Sequence, residues 1–161
     1  MKRITYLLLF VCLASCFSAC KKDVGLEGFD IPGQFKKDTT AIRAFGLANN
    51  IPLVKDLNNN FFYQIIEPGS GEEVNALSTV SIIYKGRLLD GTVFDNKPTA
   101  GAPFSLSGLI ITGWKFGIPL IKKGGKIRLL LPSLHGFGNQ ANGPVPANSV
   151  LDFDVELVDV K

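Results

Sequence analysis

From Leu151 to Leu157 the chain alternates without a break. Leu151, Phe153, Val155 and Leu157 are apolar, and Asp152, Asp154 and Glu156 are acidic. Side chains of a strand project to its two faces in turn, so a period of two commits this segment to an extended strand with one buried and one wetted face. The pattern recurs upstream. Ile127, Leu129 and Leu131 alternate with Lys126 and Arg128, and Val80, Ile82 and Tyr84 lie opposite Ser81, Ile83 and Lys85. Phe62 to Ile66 reads as a further strand ended by Pro68-Gly69. Asp90-Gly91, between Leu88-Leu89 and Val93-Phe94, carries the signal of a tight hairpin. One-sided alternation of this kind belongs to an antiparallel sheet with one wet face.

The apolar face of such a sheet needs a cover. Gly113 to Ile121 is the helical candidate within this region, with Thr112 as N-cap. Trp114, Ile118 and Ile121 fall on one stripe of that helix, and Lys122-Lys123-Gly124-Gly125 ends it with basic residues and glycines. The expected fold over residues 61–161 is therefore α+β: an antiparallel sheet of five to six strands wrapped around one short helix.

Before this domain, Asp38-Thr39-Thr40 offers a cap for a helix from Ala41 to Asn49, with Ile42, Phe45 and Leu47 on its apolar face. A helix packed on the domain's flank is the expected use. A dimerisation helix is the alternative, but so few apolar positions support a partner interface less well, and a monomer is expected. Asn58-Asn59-Asn60 reads as a turn, making residues 37–60 a helix and connector. Residues 20–36, with Gly25, Gly28, Pro32 and Gly33 and no periodicity, read as a flexible tether.

The chain opens on Lys2 and Arg3, followed by a mostly apolar stretch from Ile4 to Phe17. That stretch falls short of the roughly 20 residues needed to span a hydrocarbon core and suits a secretory signal over residues 1–19. Phe17-Ser18-Ala19-Cys20 resembles a bacterial lipobox, in which the cysteine is acylated and becomes the mature N-terminus. Cys20 is thus the expected lipidation site and the membrane anchor. By resemblance to bacterial lipoprotein sorting rules, Lys21 in place of an aspartate implies the outer membrane, on its periplasmic or surface-facing side. The run Cys20-Lys21-Lys22-Asp23 resembles surface-export signals and reads equally as a solvated charge run.

With 161 residues the chain has room for one domain with a sizeable core. Loss of residues 1–19 removes Lys2 and Arg3 and no acid, which leaves a nearly neutral chain without a basic, aromatic-laced patch. Nucleic-acid binding is not expected. The three cysteines, Cys12, Cys16 and Cys20, all precede the domain, so a disulfide scaffold and a multi-thiolate zinc site are not expected, nor any other metal or cofactor. The single histidine, His135, reads as a solvent-facing loop residue rather than a catalytic base.

The segment from Tyr84-Lys85-Gly86-Arg87 through Leu88-Leu89-Asp90-Gly91-Thr92-Val93-Phe94-Asp95 resembles the signature of the FKBP-type peptidyl-prolyl isomerases. Gly113-Trp114, Gly117-Ile118-Pro119, Lys123-Gly124-Gly125-Lys126 and Leu151 to Leu157 continue the likeness in order over residues 61–161. The resemblance implies a pocket for a prolyl ring, floored by Trp114 and walled by Tyr84, Phe94, Phe104, Ile110, Ile111, Val145 and Phe153. It implies that the Ile111 N–H holds a substrate carbonyl, and that Asp95 sits at the rim with Tyr84 donating to it. Tyr84, Phe94, Asp95 and Phe137 are then the candidate catalytic residues, and Phe104, Ile110, Ile111, Trp114, Val145 and Phe153 the candidate substrate-binding ones. Proline-containing peptides, unfolded exported proteins and a macrolide inhibitor are the implied partners. Two positions depart from the family pattern. Phe137, in Leu134-His135-Gly136-Phe137-Gly138, stands where the family commonly has a tyrosine whose hydroxyl donates to the substrate, and Ser105-Leu106-Ser107-Gly108 is shortened.

Rotation about an Xaa–Pro bond is slow because amide resonance must be broken, against an activation energy of about 20 kcal/mol. It needs neither nucleophile nor metal. An apolar pocket disfavours the planar, charge-separated amide, and groups that grip both sides of the twisted bond favour the transition state. The expected function is an isomerase assisting the folding of exported proteins at the cell envelope. The alternatives are a weakly catalytic or non-catalytic chaperone that binds proline-containing segments, and a structural surface lipoprotein.

Overall fold

The computed structural model describes residues 30–109 and 111–161. The stretch read as a signal, Cys20, residues 20–29 of the stretch read as a tether, and Ile110 lie outside the described residues.

Seven strands form one antiparallel sheet: β1 (Val54–Lys55), β2 (Phe62–Glu67), β3 (Thr79–Arg87), β4 (Val93–Lys97), β5 (Phe104–Ser105), β6 (Lys126–Leu131) and β7 (Leu151–Val160). Their order is β1-β2-β6-β7-β3-β4, and β5 pairs with the start of β3 on the edge that β4 also uses. Five strands carry the sheet, and β1 and β5 add two residues each. The hairpin turn falls where Asp90-Gly91 places it. Gly91 is left-handed (φ +91°), its N–H bonds the Leu88 carbonyl, and Asp90 Oδ1 accepts from Thr92 N.

The alternation expected from the sequence is realised. Val80, Ile82, Ile127, Leu129, Leu131, Leu151, Phe153, Val155 and Leu157 are buried on one face, under Trp114, Ile118 and Ile121. The covering helix is shorter than its apolar stripe suggests. An α-helix, here α2, runs Thr112–Gly117 with Ile111 as N-cap, and a 3₁₀ turn continues through Ile118–Leu120. Pro119 cannot donate to an α-helical ladder, which accounts for the change of helix type.

The N-terminal helix, α1, differs from expectation. It runs Ile31–Ala48, a full ten residues earlier than the Ala41 start read from the sequence. Asp30 caps it by accepting from the Gly33 N–H at 3.0 Å, and Pro32 sits in the first turn. Proline suits that position because the first-turn N–H groups have no intrahelical partner. Residues 31–36 are therefore helix, not tether. Asp38 and Thr39 are not caps. Both are buried in the helix interior.

The face of the sheet read as wet is partly covered by this helix. Ile42 is buried against Phe62, Leu130 and Val150, with Phe45, Leu53 and Leu89 packed around them. Asp152, assigned to the wetted side of its strand, is only 1% exposed. Arg128 grips its carboxylate with two bonds of 2.8 and 2.7 Å, and Arg87 approaches at 3.2 Å. A buried carboxylate is tolerable when paired and hydrogen-bonded in this way. The Arg128 guanidinium lies 5.7 Å from the Phe45 ring centroid, so the charged pair is roofed by α1.

Candidate active site

A cavity of about 400 Å³ opens between β3, β4, α2 and the long loop from β6 to β7. Tyr84, Phe94, Asp95, Leu109, Ile111, Trp114, Phe137, Val145 and Phe153 line it, together with Gly108, Asn142 and Pro144. The volume lies within the usual range for small-ligand sites.

The lining follows from three local features. The first is a bulge. On β4, Asp95 pairs with Gly86 and Val93 with Arg87, which leaves Phe94 as an extra residue. In a regular strand, neighbours point to opposite faces. A bulge re-aims a side chain, and here both Phe94 and Asp95 reach one cavity. The second is Gly86, opposite Phe153 on β7. A β-carbon at Gly86 would come within 2.7 Å of both the Phe153 and Phe94 rings, so glycine lets the two rings meet over the strand. The third is the seat of α2. A β-carbon at Gly113 or Gly117 would strike Leu131 or Leu129, so these glycines let the helix settle onto β6 and set Trp114 low in the cavity.

The aromatic groups meet edge to face, the arrangement their quadrupoles favour. Trp114 lies 4.8 Å from Tyr84 and 5.0 Å from Phe153, centroid to centroid, and Phe94 lies 5.5 Å from Phe153 at 87°. Phe137 closes the far side, 6.5 Å from Phe94. The one carboxylate in the lining is oriented. The Tyr84 hydroxyl donates to Asp95 Oδ2 at 2.6 Å. Burial, and then the hydrogen bond and charge of Asp95, keep the Tyr84 phenol protonated far above the ordinary phenol range. The Ile111 N–H has no hydrogen-bond partner among the described residues.

Of the residues singled out from the sequence, the structure brings Tyr84, Phe94, Asp95, Ile111, Trp114, Phe137, Val145 and Phe153 together around this cavity. Phe104 is placed differently. It is not among the lining residues; on β5, paired with Val80 of β3, it is half-buried with its ring centroid 6.2 Å from that of Trp114. Ile110 lies outside the described residues. Leu109, Asn142 and Pro144 are lining residues that the strand pattern did not reveal, since they sit in irregular loops without periodicity.

His135 also departs from expectation. It is half-buried, 6.4 Å from the Phe61 ring and 3.4 Å from Thr112 Oγ1 through Nδ1. Burial pushes its pKa down, against smaller opposing effects of the Asn59 backbone and the Asp56 charge. It lies outside the cavity lining. Among the described residues no group of three or more His, Cys, Asp or Glu is arranged to hold a metal ion.

The family model for FKBP-type peptidyl-prolyl cis-trans isomerases matches residues 70–158, the stretch that builds this cavity. The chain belongs to that family. The FKBP-type isomerase FkpA of Escherichia coli K12 is 46% identical over 110 residues, which cover 67% of this chain and 40% of the relative. A probable FKBP-type isomerase of Haemophilus influenzae is 38% identical over 109 residues, 66% of this chain and 45% of the relative. The chain thus spans less than half the length of these curated relatives. Among solved structures, that of E. coli FkpA superposes with a TM-score of 0.65 at 38% identity, covering 81% of this chain and 64% of that one. A Pseudomonas syringae peptidyl-prolyl isomerase superposes with a TM-score of 0.68 at 28% identity, covering 81% and 95%. These FKBP-type neighbours share the antiparallel sheet and short covering helix.

Proposed function

We propose that this chain is a peptidyl-prolyl cis-trans isomerase that assists folding of exported proteins at the bacterial cell envelope. The observation that carries the reading is one cavity lined by Trp114 and its aromatic neighbours together with a carboxylate oriented by Tyr84. A prolyl ring would enter over Trp114, between Tyr84, Phe94 and Phe153. The Ile111 N–H would hold a substrate carbonyl, which fixes one side of the bond. Asp95, held by Tyr84, would stand at the rim beside the amide that rotates. The apolar lining disfavours the planar, charge-separated amide, and a grip that fits the twisted bond better than either planar form lowers the barrier. No covalent step is involved. A macrolide inhibitor of the family type would occupy the same cavity.

The envelope location rests on the sequence. Lys2-Arg3, the apolar stretch to Phe17 and Cys20 support a cleaved signal and a lipid anchor, and Lys21 supports the outer membrane. The chain is proposed to act as a monomer on proline-containing segments of unfolded proteins. A second reading, a binding module that holds such segments without fast turnover, is favoured by Phe137. It lines the cavity but offers no hydroxyl. Membrane fractions from cells that make the full chain should speed the proline-limited refolding of a soluble test protein. The Cys20→Ser variant should carry that activity into the soluble fraction. Activity that stays with the membrane in Cys20→Ser would contradict the anchor, and refolding without acceleration would contradict the isomerase.

A further inference from the structure

We infer that Asp38, on helix α1 and outside the family-matched stretch, is a positioning residue for the prolyl cavity, acting through Ser133 on Phe137. The inference rests on the isomerase reading above. Asp38 is 3% exposed and Ser133 is fully buried. The Ser133 N–H and Oγ both donate to Asp38 Oδ2, at 2.8 and 2.7 Å, and Gln34 Nε2 donates to Oδ1 at 2.6 Å. A buried carboxylate is costly unless its hydrogen bonds are satisfied. Here the satisfaction comes mainly from one residue, at the start of the 3₁₀ turn Ser133–His135 that follows β6.

From Ser133 the connection runs straight to the cavity. The Ser133 carbonyl accepts from Gly136 N at 2.9 Å and from Gly138 N at 2.8 Å, so it holds the residues on both sides of Phe137. The Gly138 carbonyl in turn accepts from Asn148 N at 2.9 Å, which ties down the far end of the loop that contributes Pro144 and Val145. The loop's own bonds between Asn142 and Val145, at 2.9 and 3.0 Å, shape its tip, and Gly138 and Gly143 supply the left-handed backbone that its turns need. Apolar contact alone already docks α1, through Ile42 on Phe62 and Leu130. The charged hydrogen bonds add direction. They set the rotation of the turn that presents Phe137 to Phe94 across the cavity.

A double-mutant cycle on the full chain tests this. Catalysis is read with a short Xaa-Pro peptide, and affinity with the Trp114 fluorescence change on adding that peptide. Asp38→Ala should lower kcat/KM about tenfold, mainly through KM. Asp38→Asn, which keeps an oxygen acceptor, should recover most of the loss. In a Phe137→Ala background, itself less active, Asp38→Ala should cost little more. An equal loss in both backgrounds, or none in either, overturns the inference. If Asp38→Ala fails to fold, the same cycle is run with Ser133→Ala, which deletes only the Oγ bond. A loss of about threefold is then expected, again confined to the chain that retains Phe137, and the same two outcomes overturn it. A wild-type chain that neither turns over nor binds the peptide removes the proposed function and this inference together. A working wild type with additive losses removes this inference alone.

Discussion

The Tyr84 hydroxyl donates to Asp95 Oδ2 at 2.6 Å, from the middle of β3 to the edge strand β4. The phenol is thereby committed to the carboxylate and oriented at the rim rather than free to titrate. Burial and Asp95 raise its pKa far above the ordinary value near 10. The sign follows. A proton held more tightly in the fold stabilises the fold below about pH 10, and that contribution is lost as the pH rises beyond it. In an ultraviolet titration one phenol should remain protonated after ordinary phenols have ionised, and Tyr84→Phe should abolish this late step. Co-titration of every tyrosine near 10 would contradict the pairing.

Gly86 makes the cavity possible by letting two rings meet above β3. A β-carbon there would press on both Phe94 and Phe153 at 2.7 Å. Overpacking of this kind typically costs about 1–3 kcal/mol. Gly86→Ala should therefore lower the midpoint of chemical unfolding and weaken prolyl-peptide binding by at least about tenfold. A variant with wild-type affinity in a fluorescence titration would show that the rings have room to move.

His135 links folding to pH. Burial depresses its pKa below the ordinary value of 6.5, so the unfolded chain takes up the proton more readily than the fold does. Its neutral form therefore supports stability fully above pH 6.5, and that support is lost as the pH falls through the window below. Urea unfolding at pH 7.5 and 5.5 should show lower stability at the acid pH. His135→Gln should narrow the gap. A gap of equal size in the variant would assign the pH dependence to other groups.

The strands were legible because their burial is one-sided. Leu151 to Leu157 and Ile127 to Leu131 declare both structure and face through a period of two. What escaped that pattern has physical causes. Asp152 sits at a polar position of a strand but lies beneath α1, and period cannot reveal a cover contributed from a hundred residues away. The start of α1 was hidden because Pro32 and Gly33 read as breakers, although the first turn of a helix accepts both. Phe94 and Asp95 share the cavity only through a bulge, a register slip that alternation cannot express. The family motifs pointed to Tyr84, Asp95 and Trp114 as a group. They also drew in Phe104, which lies beside Trp114 but outside the lining of this cavity, and they did not reach Asp38, whose role depends on a contact 95 residues distant in sequence.

The most direct test is cis–trans exchange in a short Xaa-Pro peptide, followed by magnetisation-transfer NMR with and without catalytic amounts of the full chain. Wild type should accelerate exchange, Asp95→Ala and Trp114→Ala should each accelerate it far less, and a macrolide inhibitor should suppress the wild-type rate while changing Trp114 fluorescence. Peptide binding by the wild type with exchange no faster than in buffer would contradict catalysis and leave a site that only holds proline.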